Sequence, residues 1–438
     1  MRYALFIFLY NIFYPLFLLV SLPGFFVKMR RRGGRARDVW ERLSIYRTPQ
    51  AEEGRGGIYV HAVSVGEVFI ALKWIRAWRT RHSEPVVLAT STATGLQVVR
   101  ECGIPGLRPL YSPVDIPCVL RRTMRRFAPR AVVLIEAELW PNHARICRRC
   151  GVPMVMLNAR LSPRSERRYA KVRSVSGALF SHLSALAAQN ERDASRFVGI
   201  GVPPGIISVV GSIKFDVLGD APAAPREEFR SILSRLSAGR PVALACSTHA
   251  GEEALIARAA RAAGAFPLIV PRHMERRAEV VRELQAVGFS PILRSAGELP
   301  AAPAKPACYV VDTTGELREW TALADVAIIG KSFYASGGQN PVEAIAAHVP
   351  VVVGPDMTNF ADLTALLCEQ QAIWPCSADS LADTLHHLLT HPQEAAARAD
   401  RAQRALRIHS GATQRSVELV EHCACHSQTP MSCHGVAP

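Results

Sequence analysis

The chain has 438 residues, 49% of them apolar, and a formal net charge of +15. This length exceeds one ordinary hydrophobic core, so a leader followed by two globular domains is the expected organisation. The apolar content excludes a mostly disordered chain. The positive charge favours an acidic partner, such as a phosphorylated substrate, an anionic membrane or a nucleic acid.

An apolar segment opens the chain, from residue 4 to residue 26, interrupted mainly by Asn11 and a few small or proline residues. It is long enough to cross or deeply enter a bilayer core of about 30 Å. A basic stretch follows it directly, which by the positive-inside rule places the globular part on the cytoplasmic side. Residues 1–30 are therefore predicted to be a membrane anchor, and Pro15 and Pro23 leave open whether it spans the bilayer or lies in one leaflet. A cleaved signal peptide is disfavoured because the charge follows the apolar segment instead of preceding it.

Strands alternate with amphipathic helices throughout residues 31–218, the pattern of βαβ units around a parallel sheet. A stretch with linker composition, 216–226, ends this first domain. The predicted strands cover residues 58–63, 85–90, 108–111, 131–135, 153–158, 184–187 and 207–210, and the predicted helices include 68–81, one ending at 101, one ending at 150, and 191–198.

The same alternation restarts after the linker and predicts a second α/β domain over residues 219–422. Its predicted strands cover residues 241–246, 267–270, 308–311, 326–330 and 351–353, and its last predicted helices are 380–391 and 392–409. The fold class is therefore α/β, with two Rossmann-like domains whose parallel sheets face a cleft. That cleft is the default binding site.

Eleven cysteines are scattered without regular spacing, which suits a reducing cytoplasm. Cys147-x-x-Cys150 has no second pair, so a zinc site is disfavoured. The segment from His422 to His434 offers better ligand chemistry, but it follows the last periodic segment. Residues 423–438 are therefore predicted to form a disordered tail.

Glu67 is the leading candidate for chemistry, because it stands where the first predicted strand passes into a helix, beside Gly66. Ligands of open α/β sheets bind at this edge, and a carboxylate there can take a proton from an attacking hydroxyl. The residue is interpreted as a base and not as a helix cap. Glu136 and Glu138 follow another strand of the same domain, and Lys214 lies beside the linker, where a solvated surface lysine is the alternative.

In the second domain, polar residues follow the predicted strands. The segment 247–249 fits either a phosphate at a helix N-terminus or a plain capping box. Arg272, fixed behind a proline, suits a phosphate or carboxylate, with a surface arginine as the alternative. In the segment 337–343, Asn340 and the following proline suit a helix start, while the glycine pair lets a ligand approach the backbone. The segment 312–316 is another strand-to-helix turn.

Two basic helical faces complete the candidates. Tryptophan among arginines is typical of a membrane interface, although a solvated helix face is the alternative. Nucleic acid is disfavoured by the membrane leader. The first face comprises Lys73, Trp74, Arg76, Trp78, Arg79 and Arg81, and the second Arg121, Arg122, Arg125, Arg126 and Arg130.

Several motifs are missing from the sequence. The chain has no G-x-x-x-x-G-K-[ST] motif and no G-x-G-x-x-G after a predicted strand, which excludes a P-loop ATPase and disfavours a dinucleotide fold. It also lacks the Asp-x-Asp pair of metal-dependent glycosyltransferases.

Nine motifs resemble, in order, those of 3-deoxy-D-manno-octulosonic acid (Kdo) transferases: HAVSVGE, IEAELWPN, NARLS, GSIKFD, STHAGEE, PRH, DTTGEL, GGQNPVE and GPDMTNF. The resemblance spans residues 3–420. It implies a membrane-anchored, metal-independent, inverting glycosyltransferase of GT-B architecture that uses no cofactor. Such an enzyme moves Kdo from CMP-Kdo to the lipid A precursor (lipid IVA) in lipopolysaccharide core biosynthesis, on the cytoplasmic face of the inner membrane. The first domain would then bind the acceptor and the second CMP-Kdo.

The resemblance also implies roles for individual residues. Glu67 matches the general base, and Glu136 and Lys214 match residues that support the transition state. The sequence departs from the family at Gln339, where His is usual, and at Ser212, where Asn is common. The residues that match CMP-binding positions are Pro271, Arg272, Thr314, Gly315, Glu316, Asn340, Pro341, Val342 and Glu343.

Two other functions stay open at this stage. One is a nucleotide-sugar epimerase of the same two-domain shape, which would not need a membrane leader. The other is a non-catalytic membrane-bound scaffold, which the presence of Glu67 and Arg272 disfavours. The number of Kdo residues added is not encoded in the motifs.

Overall fold

The computed structural model describes residues 2–31, 37–46, 54–136, 138–216, 224–297, 299 and 306–426. The chain divides into two compact units, and each is described by itself. Unit 1 comprises Met1–Asp216 and Gly411–Pro438, and unit 2 comprises Val217–Ser410.

Unit 1 is built on seven parallel strands, as the alternating pattern predicts. They are β1 (Ile58–His61), β2 (Val86–Thr90), β3 (Leu107–Tyr111), β4 (Ala131–Ile135), β5 (Met154–Ala159), β6 (Ala185–Ala188) and β7 (Ile207–Val209). The helices before and between them are α1 (Arg2–Arg31), α2 (Arg37–Arg42), α3 (Val65–Arg79), α4 (Ala93–Glu101), α5 (Pro117–Phe127), α6 (Pro141–Arg149), α7 (Pro163–Ala170), α8 (Arg173–Phe180) and α9 (Glu191–Gly199), with 3-10 turns at Pro204–Ile206 and Ile213–Phe215.

The strand order of this sheet is β3-β2-β1-β4-β5-β6-β7. Strands β1, β2, β4, β5 and β6 are buried throughout, as expected for a parallel sheet covered by helices on both faces. The order reverses between β1 and β4, so the chain leaves these neighbouring strands in opposite directions. This switch point is where open α/β sheets bind ligands.

Unit 2 repeats the architecture with a second sheet of seven strands in the order β10-β11-β9-β8-β12-β13-β14. The strands are β8 (Val242–Thr248), β9 (Phe266–Pro271), β10 (Ser290–Leu293), β11 (Ala307–Val310), β12 (Val326–Ile329), β13 (Val351–Val353) and β14 (Trp374–Pro375). The helices are α10 (Glu227–Ser237), α11 (Glu252–Ala262), α12 (Arg277–Ala286), α13 (Leu317–Thr321), α14 (Val342–Ala346), α15 (Ala361–Glu369), α16 (Leu381–Thr390) and α17 (Pro392–Arg407), with 3-10 turns at Met274–Arg276, Arg294–Ala296 and Thr358–Phe360. Strands β10 and β14 were not predicted from the sequence. The switch point of this sheet lies between β8 and β12.

The last helix, α18 (Ala412–His426), belongs to unit 1. The sequence pattern predicts instead that residues up to 422 belong to the second domain and that residues 423–438 form a disordered tail. In the structure α18 packs on α3, and residues 423–426 are helical. The Asp216 carboxylate fixes this return, because it accepts the N–H groups of Gly411 at 2.8 Å and Thr413 at 2.7 Å. Residues 427–438 and most of the predicted linker lie outside the described residues.

Docking of α18 corrects the interpretation of the first basic face. Trp74 and Trp78 are 0% and 1% exposed and share one hydrophobic core with residues of α18. Lys73 donates to the carbonyl oxygen of Ile213 at 2.9 Å, and Arg81 lies 3.4 Å from the Glu421 carboxylate. The tryptophans of this face therefore belong to the hydrophobic core and not to a membrane interface.

Helix α1 agrees with the predicted anchor. Its residues Arg2–Leu22 have a mean hydropathy of 2.1, and within the described residues this is the one helix long and apolar enough to cross a membrane. Residues 32–36 of the basic stretch lie outside the described residues.

Candidate active site

Glu67 lies in the first turn of α3, directly after β1. Ser64 caps this helix, and Glu67 completes a capping box with it. The Glu67 Oε2 atom accepts the Val63 N–H at 2.7 Å. Its Oε1 atom accepts the Ser64 hydroxyl at 2.8 Å and, more weakly, the Ser64 N–H at 3.3 Å. The prediction that Glu67 is not a helix cap was therefore wrong, because its carboxylate closes the capping box of α3.

The capping bonds do not use every lone pair of the Glu67 carboxylate. A carboxylate offers about four lone-pair positions, and the donors just described occupy three of them. One position on Oε2 is left, and the other contacts fix its direction. Gly66 beside it is exposed, and a Cβ there would meet only the Ser64 hydroxyl at 3.9 Å. The surface over the first turn is therefore open.

Glu136 follows β4, on the other side of the switch point. Its backbone is left-handed, with a φ of +65°, which is unusual for a residue other than glycine and is common at functional sites. Burial and the negative charge of Glu67 raise the pKa of Glu136, while Arg160 and Lys214 oppose that rise. The structure therefore places Glu136 within electrostatic reach of Glu67 and Lys214.

Two residues without an assigned role extend this cluster. Burial and the charge of Glu67 also raise the pKa of Glu138, so three carboxylates share the switch point of unit 1. Arg160 faces Glu136, and sequence reasoning gave it no role. The sequence does contain a pattern that could have identified Arg160 as a candidate, because this residue follows a predicted strand and lies in the NARLS motif.

Asn158 positions Lys214, and it too was missed. It lies in β5 with a left-handed φ of +54°. Its Oδ1 atom accepts the Ser212 hydroxyl at 3.2 Å and the Ile213 N–H at 3.0 Å. These bonds fix the 3-10 turn that carries Lys214 against the sheet. Ser212, where the resemblance expects Asn, is 1% exposed and contributes directly to this link.

In unit 2, Arg272 follows β9 and Glu343 lies in α14. Burial raises the pKa of Glu343, and the positive charges of Arg318 and Arg272 oppose that rise. Arg272 is exposed and Glu343 half-buried, so both side chains can meet a ligand. Sequence reasoning missed Arg318, which lies on the short helix α13.

Five of the other residues predicted to bind CMP divide into two groups by their burial. Pro271, Pro341 and Val342 are buried, so they can only shape the backbone. Thr314 and Gly315 are exposed, and a Cβ on Gly315 would meet nothing within 4 Å. The backbone of this turn is therefore open to a ligand.

Glu316 and Asn340, the remaining two, make hydrogen bonds to other residues of unit 2. Burial disfavours the ionised form of Glu316, but hydrogen bonds from Thr313 and Trp320 and the charge of Arg294 outweigh it and lower the pKa. The Glu316 carboxylate therefore makes its hydrogen bonds to neighbouring side chains of unit 2. Asn340 precedes Pro341, which stands at the cap position of α14, and its side-chain oxygen accepts the Val342 N–H at 3.1 Å in the turn that leads into the helix.

The glycine pair before Asn340 has a structural explanation that the sequence did not reveal. Gly337 and Gly338 have φ values of +119° and +67°, which favour glycine. A Cβ on Gly337 would clash with the side chain of Asn359, and one on Gly338 with that of Met357. Close packing against the GPDMTNF segment therefore accounts for both glycines without a ligand.

The segment 247–249 does not form the capping box that was one of its two predicted roles. Gly251 stands at the cap position of α11 and makes no side-chain capping bond. The fully buried Glu252 carboxylate instead accepts one backbone N–H group from the residue after β8 and three from the loop after β12. Its donors are His249 at 2.9 Å, Lys331 at 2.7 Å, Ser332 at 3.0 Å and Phe333 at 3.0 Å.

Gln339, the other departure from the resemblance, contacts this segment. Its amide nitrogen lies 3.1 Å from His249 Nε2, and the ring of His249 packs edge-on against His273 at 5.7 Å. Burial lowers the pKa of His249, which suits a neutral ring that accepts this bond. Gln339 thus keeps a polar contact at the carboxyl edge of the sheet.

Known proteins resemble this chain in fold, and others resemble it in sequence. The structure resembles UDP-GlcNAc 2-epimerase from Neisseria meningitidis, with a TM-score of 0.54 and 12% identity over 84% of this chain and 100% of that chain. It also resembles MurG from Acinetobacter baumannii, with a TM-score of 0.53 and 16% identity over 84% of this chain and 99% of that chain. At such identities the likeness shows the fold alone, and the two seven-stranded parallel sheets define a GT-B type α/β protein.

The sequence comparisons are more specific. Residues 37–217 match the family model described as 3-deoxy-D-manno-octulosonic-acid transferase (kdotransferase). The 3-deoxy-D-manno-octulosonic acid transferase of Bordetella pertussis is 34% identical over 433 residues, covering 93% of this chain and 98% of the relative. The chain therefore belongs to the Kdo transferase family and is a glycosyltransferase, as the motifs predict.

Proposed function

We propose that the chain is an inverting, metal-independent glycosyltransferase that moves Kdo from CMP-Kdo to lipid IVA in lipopolysaccharide core biosynthesis. The observation that carries this proposal is the cluster of Glu67, Glu136 and Lys214 at the switch point of unit 1. Family membership supports Kdo as the transferred sugar, and the cluster supplies the chemistry that the transfer needs.

In the proposed reaction a hydroxyl of the acceptor attacks the anomeric carbon of Kdo. The bond from that carbon to the phosphate oxygen of CMP breaks, and CMP leaves with the electron pair. The hydroxyl proton passes to Glu67, whose capping bonds leave one lone pair on Oε2 in a fixed direction. A positioned base of this kind contributes about 10²–10⁴-fold to the rate.

The charges around Glu67 suit this role. Glu136 lies near enough to Glu67 to have its pKa raised, and Arg160 and Lys214 offset the accumulated negative charge. The same two cations suit the carboxylate that Kdo itself carries, which would stand close to the attacked carbon.

The donor nucleotide is proposed to bind unit 2. Arg272 suits the CMP phosphate as a fixed, always charged donor, so the departing charge can be stabilised without a metal. Glu343 can accept hydrogen bonds from the ribose hydroxyls, and the open turn at Thr314 and Gly315 offers backbone groups. No cofactor belongs to this proposal.

The apolar α1 is proposed to hold the enzyme on the cytoplasmic face of the inner membrane, where a lipid acceptor would be reached. An epimerase is disfavoured, because the likeness to an epimerase is at 12% identity while the Kdo transferase relative is 34% identical. A non-catalytic scaffold would have no need for the charge cluster at Glu67.

The direct test is transfer by the purified full chain. We expect the chain, incubated with CMP-Kdo and lipid IVA in the presence of EDTA, to give a lipid product whose mass has grown by one or more Kdo units. Mass spectrometry of the lipid also counts the Kdo residues added. Unchanged lipid from a folded enzyme, or transfer that stops with EDTA, would contradict the proposal.

A further inference from the structure

Helix α1 is docked side-on against unit 1 by polar residues on one of its faces. The contacts extend from residue 3 to residue 14, about 16 Å of helix at 1.5 Å per residue. They join Tyr3 to His182 at 3.0 Å, Asn11 to Asn142 at 2.8 Å, and Tyr14 to the backbone of Asp115 at 3.4 Å.

The opposite face of α1 is apolar and uncovered within the described structure. Phe8, Phe13 and Phe17 are 62%, 62% and 64% exposed, and Val20 is 81% exposed. The exposed residues recur every three or four positions, so they form one stripe, and such a continuous apolar stripe marks a contact surface. Its members are Leu5, Phe8, Leu9, Ile12, Phe13, Leu16, Phe17, Leu19 and Val20.

The two faces together argue against a helix that crosses the bilayer. A spanning helix would draw its docking partners into a hydrocarbon core about 30 Å thick. Those partners include Asp115 and His182, beside Arg148, which lies 3.3 Å from the His182 ring. Burying such groups in lipid is costly. A helix that lies in one leaflet keeps them on the water side and places only the apolar stripe in lipid.

A pocket of arginines borders the docked helix. It lies between α5 and α6 and is lined by Arg121, Arg125, Arg145 and Arg149 together with Asn142, the residue that bonds Asn11. Within the described part of the chain, Arg121, Arg145 and Arg149 make no salt bridge. Burial and the charge of Arg149 lower the pKa of Arg145, which shows how closely the positive charges are gathered.

This pocket uses only part of the second basic face that the sequence suggested. Arg126 stacks over the ring of Tyr46, 4.5 Å from its centre, and Arg122 donates to the carbonyl oxygen of Leu43 at 3.2 Å. The remaining arginines of α5 turn instead towards α6. Guanidinium groups hold phosphate oxygens in a bidentate fork, so a lipid phosphate matches the charge and chemistry of the pocket.

We propose that the apolar stripe of α1 and the arginine pocket form one docking surface for anionic phospholipid in the cytoplasmic leaflet. The stripe enters the acyl region of that single leaflet, and the arginines hold headgroup phosphates beside it. The proposal rests on the membrane attachment proposed above. Its tests measure topology and vesicle binding and need no transferase activity, so failure here is distinguishable from failure of the proposed function.

The first test places residue 2 relative to the membrane. Arg2→Cys is treated with a membrane-impermeant maleimide in spheroplasts and in inverted vesicles, and labelling is measured by peptide mass spectrometry. Cys425, an exposed thiol of α18, is the internal reference for the cytoplasmic side. We expect both thiols to react only in inverted vesicles. Reaction of residue 2 in spheroplasts, or none before detergent is added, would overturn the proposal.

The second test removes the pocket charge. Arg145→Gln with Arg149→Gln is compared with a control of equal charge loss, Arg230→Gln with Arg235→Gln, both exposed on α10. We expect the pocket variant to bind phosphatidylglycerol vesicles about tenfold or more weakly, with binding to phosphatidylcholine vesicles unchanged and the control within about twofold. Equal losses in both variants would overturn the proposal. So would unchanged vesicle binding with a raised KM for lipid IVA, which would assign the pocket to the acceptor.

Discussion

Replacing Glu67 by glutamine separates the capping role that the structure shows from the proposed role as general base. In the wild type the Val63 N–H donates to the Glu67 carboxylate at 2.7 Å, and the amide oxygen of the glutamine can still accept this bond. The Ser64 hydroxyl can turn to accept from the new NH₂ group. The weak bond from the Ser64 N–H at 3.3 Å and the negative charge at the helix start are lost. We expect Glu67→Gln to cost about 1–2 kcal/mol of stability.

The expected loss of catalysis is larger. Removing a general base lowers kcat by about 10²–10⁴-fold, equivalent to about 3–5 kcal/mol of barrier. Ser64→Ala is the matched control, because it removes the capping hydroxyl at a cost of about 1 kcal/mol and keeps the carboxylate. Both variants should therefore melt a few degrees lower, at about 2–4 °C per kcal/mol for a unit of this size, and only Glu67→Gln should lose transfer.

The assay combines three measurements on protein purified in detergent. Thermal unfolding reports the cap, calorimetric titration with CMP reports the donor site, and the initial rate of CMP release with CMP-Kdo and lipid IVA reports transfer. CMP binding should be unchanged in both variants. A folded Glu67→Gln enzyme that keeps more than about a tenth of the wild-type rate, or an equal loss of rate in Ser64→Ala, would refute the assignment of Glu67 as the base.

Gly66→Ala should leave the unfolding midpoint unchanged or raise it, because a Cβ there meets only the Ser64 hydroxyl at 3.9 Å, an ordinary contact, and alanine favours the helix. Initial rates should show a higher KM for the lipid acceptor, and an unchanged KM would show that the open surface is not used. Burial lowers the pKa of His61 to about 4 and that of His143 to about 3, so both rings are neutral in the fold. Their stabilising contribution is present above the ordinary value of 6.5 and is lost as the pH falls towards 4 and 3. As the pH is lowered from 6.5, the denaturant concentration at the unfolding midpoint should therefore decrease less steeply in His143→Leu than in the wild type. Equal dependence of this midpoint on pH in the two proteins would contradict the prediction. Asn158→Ala, which frees the turn carrying Lys214, should lower kcat by about tenfold or more with little change in CMP affinity, whereas loss of CMP binding alone would contradict a positioning role.

The carboxylate site of unit 1 was accessible to sequence reasoning because its geometry follows from topology. Glu67 and Glu136 each follow a strand, and the strand order brings β1 beside β4. Parallel strands present their carboxyl ends at one edge, so residues nearly 70 positions apart in the numbering meet. The lengths of β8 and β9 differed from expectation by only one or two residues, because burial on both faces makes such strands nearly continuous apolar runs.

The errors arose from contacts between segments that are distant in sequence. Trp74 and Trp78 have the composition of a membrane interface, and only the docking of α18 shows that they are core. Glu252 looks like part of a local capping box, but it serves a loop about eighty residues away. The glycines at 337 and 338 are explained by packing against residues 357–359. In each case the local pattern is the same whether the partner is lipid, ligand or another part of the chain.

The anomeric configuration of the product tests the central claim most directly. A single displacement in which Glu67 deprotonates the acceptor hydroxyl must invert the carbon that is attacked. NMR of the lipid formed from CMP-Kdo and lipid IVA should therefore show a Kdo linkage of opposite anomeric configuration to that in CMP-Kdo. Retention of the donor configuration would contradict the mechanism, because it requires two displacements and a covalent or ion-pair intermediate in place of a single base-assisted attack.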